Sequence, residues 1–345
     1  MSIVDTLKNA IGMDPAKRAD PDMDRVLEAL KSLNPKPIEG LNAIQARQQP
    51  TPTDAVRKVM LEAGITAPPS DVITSDITIP GPGGSNPARV YRPEGTGPFP
   101  VILYFHGGGW VIADIDTYDA TPRSIASLSR AIVISAHYRQ APEHKFPAAH
   151  ADANAAYDWM LANAVSLGGD PLRVAVMGES AGANLAINVS IYARDHNLPL
   201  PKHQVLVYPV AGTDTSTESY HENSNAKPLN RDMMLWFIDK VINGPQDKES
   251  SLLNLSKADL HSLPSTTVIT AGIDPLHSEG EKLVKQLQAS GVSVDHEHYA
   301  GATHEFFGMA TVVQAARYAQ ARVAENLRGA LGVETGAQQA GYVLR

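Results

Sequence analysis

The chain has 345 residues, of which 43% are hydrophobic; it has no cysteine, and its formal net charge is −8. That length exceeds the roughly 100–200 residues of one typical domain, so one large domain with an appendage is expected, and the apolar content argues against global disorder. The acidic balance argues against a nucleic-acid or anionic-membrane partner, while the lack of cysteine excludes disulfides, thiolate nucleophiles and Cys-ligated zinc. The N-terminal stretch lacks the apolar core of a secretory signal, and no run nears the roughly 18 apolar residues of a membrane span. A cytoplasmic protein without stable membrane association is the expectation.

In chain order, residues 1–66 read as helical. Asp20 can cap a helix with Pro21 at its first position, and Val26, Leu27, Leu30 and Leu33 form its apolar stripe. A second helix over 54–63 stops at Gly64. Ile73, Ile77 and Ile79 then share one strand face, and the turn cluster PGPGGSNP before ARVYRP predicts an antiparallel hairpin. From residue 100 onward, short apolar runs alternate with helical patterns. Strands are expected at 100–105, 131–136, 173–177, 204–208, 267–271 and 292–298, and helices at 118–129, 148–165, 181–196, 277–290 and 311–331. The first five runs are nearly continuous in apolar character, as in parallel strands covered on both faces. The sixth alternates and carries charge, which places it toward an edge. Segment 209–250 breaks the alternation, and together with 1–66 it reads as a helical cap over a site at the strand ends. The expected division is therefore 1–66 cap segment, 67–208 first part of the core, 209–250 cap insertion, 251–333 second part of the core and 334–345 a loose tail.

Gly178-Glu179-Ser180-Ala181-Gly182 lies between an apolar strand and an Ala-rich helix. So sharp a turn, flanked by small residues, lifts a serine hydroxyl clear of the sheet at a helix N-terminus; the string alone is also met in ordinary Gly/Ser turns. His106-Gly107-Gly108-Gly109-Trp110 follows a strand directly. Consecutive glycines let backbone N–H groups converge on an anion, as in an oxyanion hole formed by Gly108, Gly109 and Ala181. A phosphate loop is the rival, but its terminal Lys-Ser/Thr is missing. His106 is expected to shape this loop rather than to react.

A serine nucleophile needs a base, and the base needs an acid, in chain order Ser, Asp/Glu, His. Asp274, after the strand TVITA, and His304, in the loop YAGATHEFFG, meet that order; Asp274 is also placed to be a helix N-cap. His277 falls in the first turn of a helix. His296 and His298 share a strand face, but no third ligand is evident and no metal site is expected. His137, His144, His150, His203 and His221 have no matching context. Met233, Met234, Trp236 and Phe237 suit either an acyl pocket or the core of the cap.

With these residues in place, the chain resembles the bacterial hormone-sensitive-lipase-like esterases from about residue 21 to 331. The motifs are HGGGW at 106–110, YRQAPEHKFPAA at 138–149, GESAGANLA at 178–186, YPV at 208–210, TAGIDPL at 270–276, EG at 279–280 and the His304 loop. The resemblance implies a capped α/β-hydrolase fold, with a mostly parallel central sheet flanked by helices. It implies cleavage of short- to medium-chain carboxylic esters through an acyl-enzyme, with Ser180, His304 and Asp274 as the triad and no cofactor. A homodimer joined through an edge strand is a further implication. Two positions depart from the family pattern: His137 replaces an aspartate before YR, which removes a carboxylate from a supporting ion pair there, and Glu305 replaces a glycine at the pocket rim. Two rivals remain: a receptor on the same fold, which would usually lack the base, and a serine peptidase or amidase, which would usually carry a further domain.

Overall fold

The computed structural model describes residues 15–67 and 70–333; the tail expected at 334–345 lies outside the described residues. Two packed helices come first. Helix α1 (Pro21–Ser32) has Pro21 at its first position and buries Met23, Val26, Leu27 and Leu30. Helix α2 (Pro52–Ala63) opens with a capping box between Thr51 and Asp54 and stops at Gly64, whose φ of +65° suits glycine. Asp20 occupies the N-cap of α1 but, contrary to expectation, its side chain caps nothing. Its N–H donates to the Gly301 carbonyl at 2.9 Å, and its carboxylate fills the space that a Cβ on Gly301 would need. Asp22 instead accepts the Met23 N–H at 2.9 Å.

The expected hairpin is present as β1 (Val72–Gly81) and β2 (Gly84–Pro93), antiparallel and closed at Gly81 and Gly84. Its three isoleucines differ in burial: Ile79 is 2% exposed and Ile73 58%. β1 is an outermost strand, and its cover does not reach the Ile73 end. The strands β3 (Phe99–Phe105), β4 (Ile132–Ala136), β5 (Gly169–Glu179), β6 (His203–Val207), β7 (Ser265–Ile273) and β8 (Val294–Thr303) complete one sheet in the order β1-β2-β4-β3-β5-β6-β7-β8. Pairing is antiparallel from β1 to β4 and parallel from β4 to β8.

β3, β4 and β6 are buried along their whole length, because helices cover both faces. Successive side chains of a strand point to opposite faces. Val101, Leu103 and Phe105 thus share a cluster with α4 (Ala148–Asn163) and α5 (Ala181–Asp195). Ile102 and Tyr104 share the other with α3 (Ala120–Ser129) and α8 (Gln314–Ala330). Each large apolar side chain buried in this way contributes about 1.5–3 kcal/mol.

β8 lies at the edge, as its alternating, charged sequence predicts, but it runs to Thr303 and not to 298. The small residues Ala300, Gly301 and Ala302 have weak strand preference and hide that extension. Its consequence is local: the strand ends directly before His304. Between β6 and β7, α6 (Arg231–Val241) is capped by Asn230, which accepts the Met233 N–H at 2.9 Å. Trp236 donates from Nε1 to the Leu41 carbonyl at 3.1 Å, which ties this insertion to the N-terminal segment. Among the described residues, no helix is long and apolar enough to cross a membrane.

Candidate active site

Ser180 is the single residue between β5 and α5, with φ +57° and ψ −119°. A side chain there is strained, and strain of this kind persists only where the surroundings enforce it. They do so here. A Cβ on Gly178 would collide with the Gly182 backbone, and one on Gly182 with the carbonyls of Phe105 and His106. The Ser180 N–H donates to the Val207 carbonyl at 2.9 Å, so the turn is held between β3 and β6 with its hydroxyl at the strand ends.

Helix α7 (His277–Ala289) follows β7 after a short turn that carries Asp274. The fold brings Asp274 and His304 to Ser180. His304 Nε2 lies 2.9 Å from Ser180 Oγ, and Nδ1 lies 2.7 Å from Asp274 Oδ2. All three residues are buried. Asp274 is not the N-cap of α7, a position that Leu276 holds, but its other oxygen, Oδ1, accepts the Leu276 N–H at 2.9 Å. The carboxylate thus has one oxygen fixed by the backbone and the other aimed at the imidazole. A hydroxyl, an imidazole and a carboxylate in this line can pass a proton from oxygen to nitrogen while the acid holds the ring in one tautomer.

Gly108 and Gly109 border the same space with φ +97° and +59°. A Cβ on Gly108 would strike the Ile112 carbonyl, and one on Gly109 the ring of Phe237. Among the described residues, no hydrogen bond engages the N–H of Gly108, Gly109 or Ala181. His106 is fully buried behind this loop, with Nδ1 2.7 Å from the Gly107 carbonyl and Nε2 2.9 Å from His137 Nδ1. Burial lowers its pKa to about 3, which suits a neutral scaffold residue. His137 therefore supports the loop through His106, while Arg139 finds its carboxylate at Asp152, 2.9 Å away.

The comparisons with known proteins point the same way. Residues 102–308 match the family described as α/β hydrolase fold. The chain belongs to the hormone-sensitive-lipase-like carboxylesterases. Carboxylesterase NlhH of Mycobacterium tuberculosis is 35% identical over 323 residues, covering 91% of this chain and 98% of that protein. An ethyl acetate hydrolase of Pseudomonas putida is 31% identical over 299 residues, covering 85% and 92%. The solved structure of a hyperthermophilic esterase from Pyrobaculum calidifontis superposes with a TM-score of 0.82 at 36% identity, covering 90% of this chain and 98% of that one.

In this esterase, Ser180, His304, Gly108 and Gly109 open into a cavity of about 2140 Å³. Met233, Met234 and Phe237 of α6 line it, as do Leu27 and Val56 of the N-terminal helices. Trp236 does not; its ring is buried and bonded to Leu41. The sequence left pocket and core open for these four residues, and the structure divides them.

Two further carboxylates lie beside Ser180, His304 and Asp274. Glu305, at φ +71°, accepts from Tyr118 Oη at 2.6 Å, and its carboxylate is 3.9 Å from His304 Nε2. Glu179 is buried between the hydroxyls of Tyr104, at 2.6 Å, and Tyr208. Burial, followed by the charge of Glu305, raises the Glu179 pKa to about 7. For His304, burial alone would depress the pKa, but the Asp274 charge and hydrogen bond, then Glu305 and Glu179, outweigh it, and the value stands above the usual 6.5. Glu305 was readable only as a departure from the family pattern, because Tyr118 lies 187 positions away in the chain.

His277 falls at the first position of α7, as expected. His296 and His298 do share a face, and both contact Thr270 Oγ1, at 2.9 and 3.1 Å. The fold adds neighbours that the sequence did not place there: α7 sets His277 and Glu281 against them. A spacing four apart on a helix and two apart on a strand was visible, but the packing of one on the other was not.

Proposed function

We propose that this carboxylesterase works by a two-step acyl transfer, with Ser180 as nucleophile, His304 as general base and Asp274 as the residue that orients the imidazole. His304 takes the Ser180 proton as Oγ attacks the ester carbonyl, and the N–H groups of Gly108, Gly109 and Ala181 hold the oxyanion. The imidazolium gives its proton to the departing alcohol. Water then repeats the sequence on the acyl-enzyme and frees the acid. The observation that carries this reading is the unbroken line from Ser180 Oγ through His304 to Asp274, at 2.9 and 2.7 Å.

The substrates proposed are esters of short to medium acyl chains. Phe237 stands against Gly109, next to where the acyl group would start, and Met233 and Met234 offer apolar wall beyond it. Residues 1–66 and 209–250 act as the cap, a role supported by the lining they share and by the Trp236–Leu41 hydrogen bond. The enzyme would operate in the cytoplasm, where a chain without cysteine forgoes nothing. A homodimer would use the outer edge of β8, which among the described residues has a strand neighbour only on its β7 side.

A panel of p-nitrophenyl esters of increasing acyl length tests the substrate class. Turnover should be highest for short and medium chains, fall for long ones, and stop after reaction with phenylmethylsulfonyl fluoride. Matching rates on amide or peptide substrates would reject the ester assignment.

The pH dependence has a definite sign. His304 must be neutral to act, so kcat/KM should fall as pH drops through a pKa lying above 6.5. Glu305 supports the protonated ring by its charge. Glu305→Gln should therefore move the acid limb of a p-nitrophenyl butyrate profile to lower pH, and a limb that stays put or moves upward would show that this carboxylate is not felt at the base.

A further inference from the structure

We propose that His277, Glu281 and His298, with His296 beside them, form a binding site for one divalent transition-metal ion with the ligand preferences of zinc. The site lies apart from the Ser180 line, between the start of α7 and the exposed face of β8. One ligand atom each from His277, Glu281 and His298 fall within 4.8 Å of one another. His277 Nε2 is 3.6 Å from Glu281 Oε1, and His296 Nε2 is also 3.6 Å from that same oxygen.

Two ligands at about 2.1 Å from a tetrahedral zinc stand about 3.4 Å apart, and the two 3.6 Å separations are close to that spacing. Among the described residues, moreover, the buried His277 Nε2 has no hydrogen-bond partner, a cost that a metal bond would remove. Thr270 Oγ1 meets His298 at Nδ1, which leaves Nε2 to ligate, and such outer partners commonly orient metal-bound imidazoles; it meets His296 at Nε2, which keeps that ring beside the ion and not on it. A set of two imidazoles and one carboxylate suits zinc, copper or nickel and not calcium or magnesium.

The placement gives the ion a structural role. His277 opens α7 three residues after Asp274, and its N–H donates to the Asp274 carbonyl at 3.2 Å. β8 ends directly before His304. An ion joining α7 to β8 would tie together the two segments that deliver the acid and the base, without entering the chemistry.

The test uses the full chain, free of any added histidine tag and stripped with EDTA, titrated with zinc chloride by calorimetry and followed by thermal unfolding. The chain has no cysteine to compete for the ion. Wild type should take up about one equivalent, and its Tm should rise by about 4 °C at a hundredfold excess over Kd. Glu281→Gln and His298→Asn should each weaken binding by at least the roughly 10- to 100-fold that even an outer partner is worth. Both should keep their esterase activity without zinc, which shows that they fold. Absence of binding by wild type up to millimolar zinc would overturn the site, and so would equal binding by both variants, which would mark the zinc as adventitious.

Discussion

Ser180→Ala is expected to lower kcat for p-nitrophenyl butyrate by about 10⁶-fold, the size of loss met when a triad nucleophile is deleted. The oxyanion amides and the cavity remain, so a residual rate of about 10³–10⁴ over the water reaction should survive. The fold should survive as well. Among the described residues the Ser180 hydroxyl bonds only to His304 Nε2, and that nitrogen lies at the cavity, where water can replace the lost partner. The strained backbone at φ +57° is imposed by Gly178 and Gly182 on either side, and alanine meets the same constraint as serine. Deleting a catalytic group commonly leaves stability unchanged or raises it, so Tm by circular dichroism should not fall. Activity within tenfold of wild type in a folded Ser180→Ala protein would remove the proposed nucleophile.

The parts of this molecule that were legible in its sequence are those written into neighbouring residues. The runs at 100–105 and 131–136 are apolar without interruption because both faces of those strands are covered, and the glycines around Ser180 stand where the chain must pass close to itself. Even the edge position of β8 showed in its alternation. What stayed hidden depends on contacts between distant segments. Asp20 has every local property of a cap, yet its carboxylate lies against Gly301, from the other end of the chain. Ile73 has the same spacing pattern as Ile79 but lies beyond the cover of the edge strand. Glu179 acquires its influence on His304 only when β5 and the end of β8 meet at the same rim, and Glu305, although next to His304 in the chain, has its hydrogen-bond partner 187 positions away at Tyr118. The pairing of His277 and Glu281 with the β8 histidines is of the same kind, since helix and strand spacing are local and their register against each other is not.

Asp274→Asn isolates the proposed role of the acid, because the structure fixes which way the new amide must face. Asp274 Oδ1 accepts the Leu276 N–H at 2.9 Å, and Oδ2 faces His304 Nδ1 at 2.7 Å. In the variant the amide oxygen must stay on Leu276, or that buried N–H would confront an NH₂ group and lose its partner at a cost of about 1–3 kcal/mol. The NH₂ group is thereby left donating to Nδ1. The imidazole must then accept at Nδ1 and carry its proton on Nε2, which is the nitrogen that should receive the Ser180 proton. A base in the wrong tautomer cannot act, and kcat/KM should fall by about 10⁴-fold, as for the same exchange in other serine triads. The turn before α7 keeps its hydrogen bond, so Tm should change little. Loss of the carboxylate charge also removes the chief support of the His304 pKa, so the acid limb of any residual activity should move to lower pH. A folded Asp274→Asn enzyme with less than a tenfold loss and an unmoved limb would show that Asp274 serves α7 and not the imidazole.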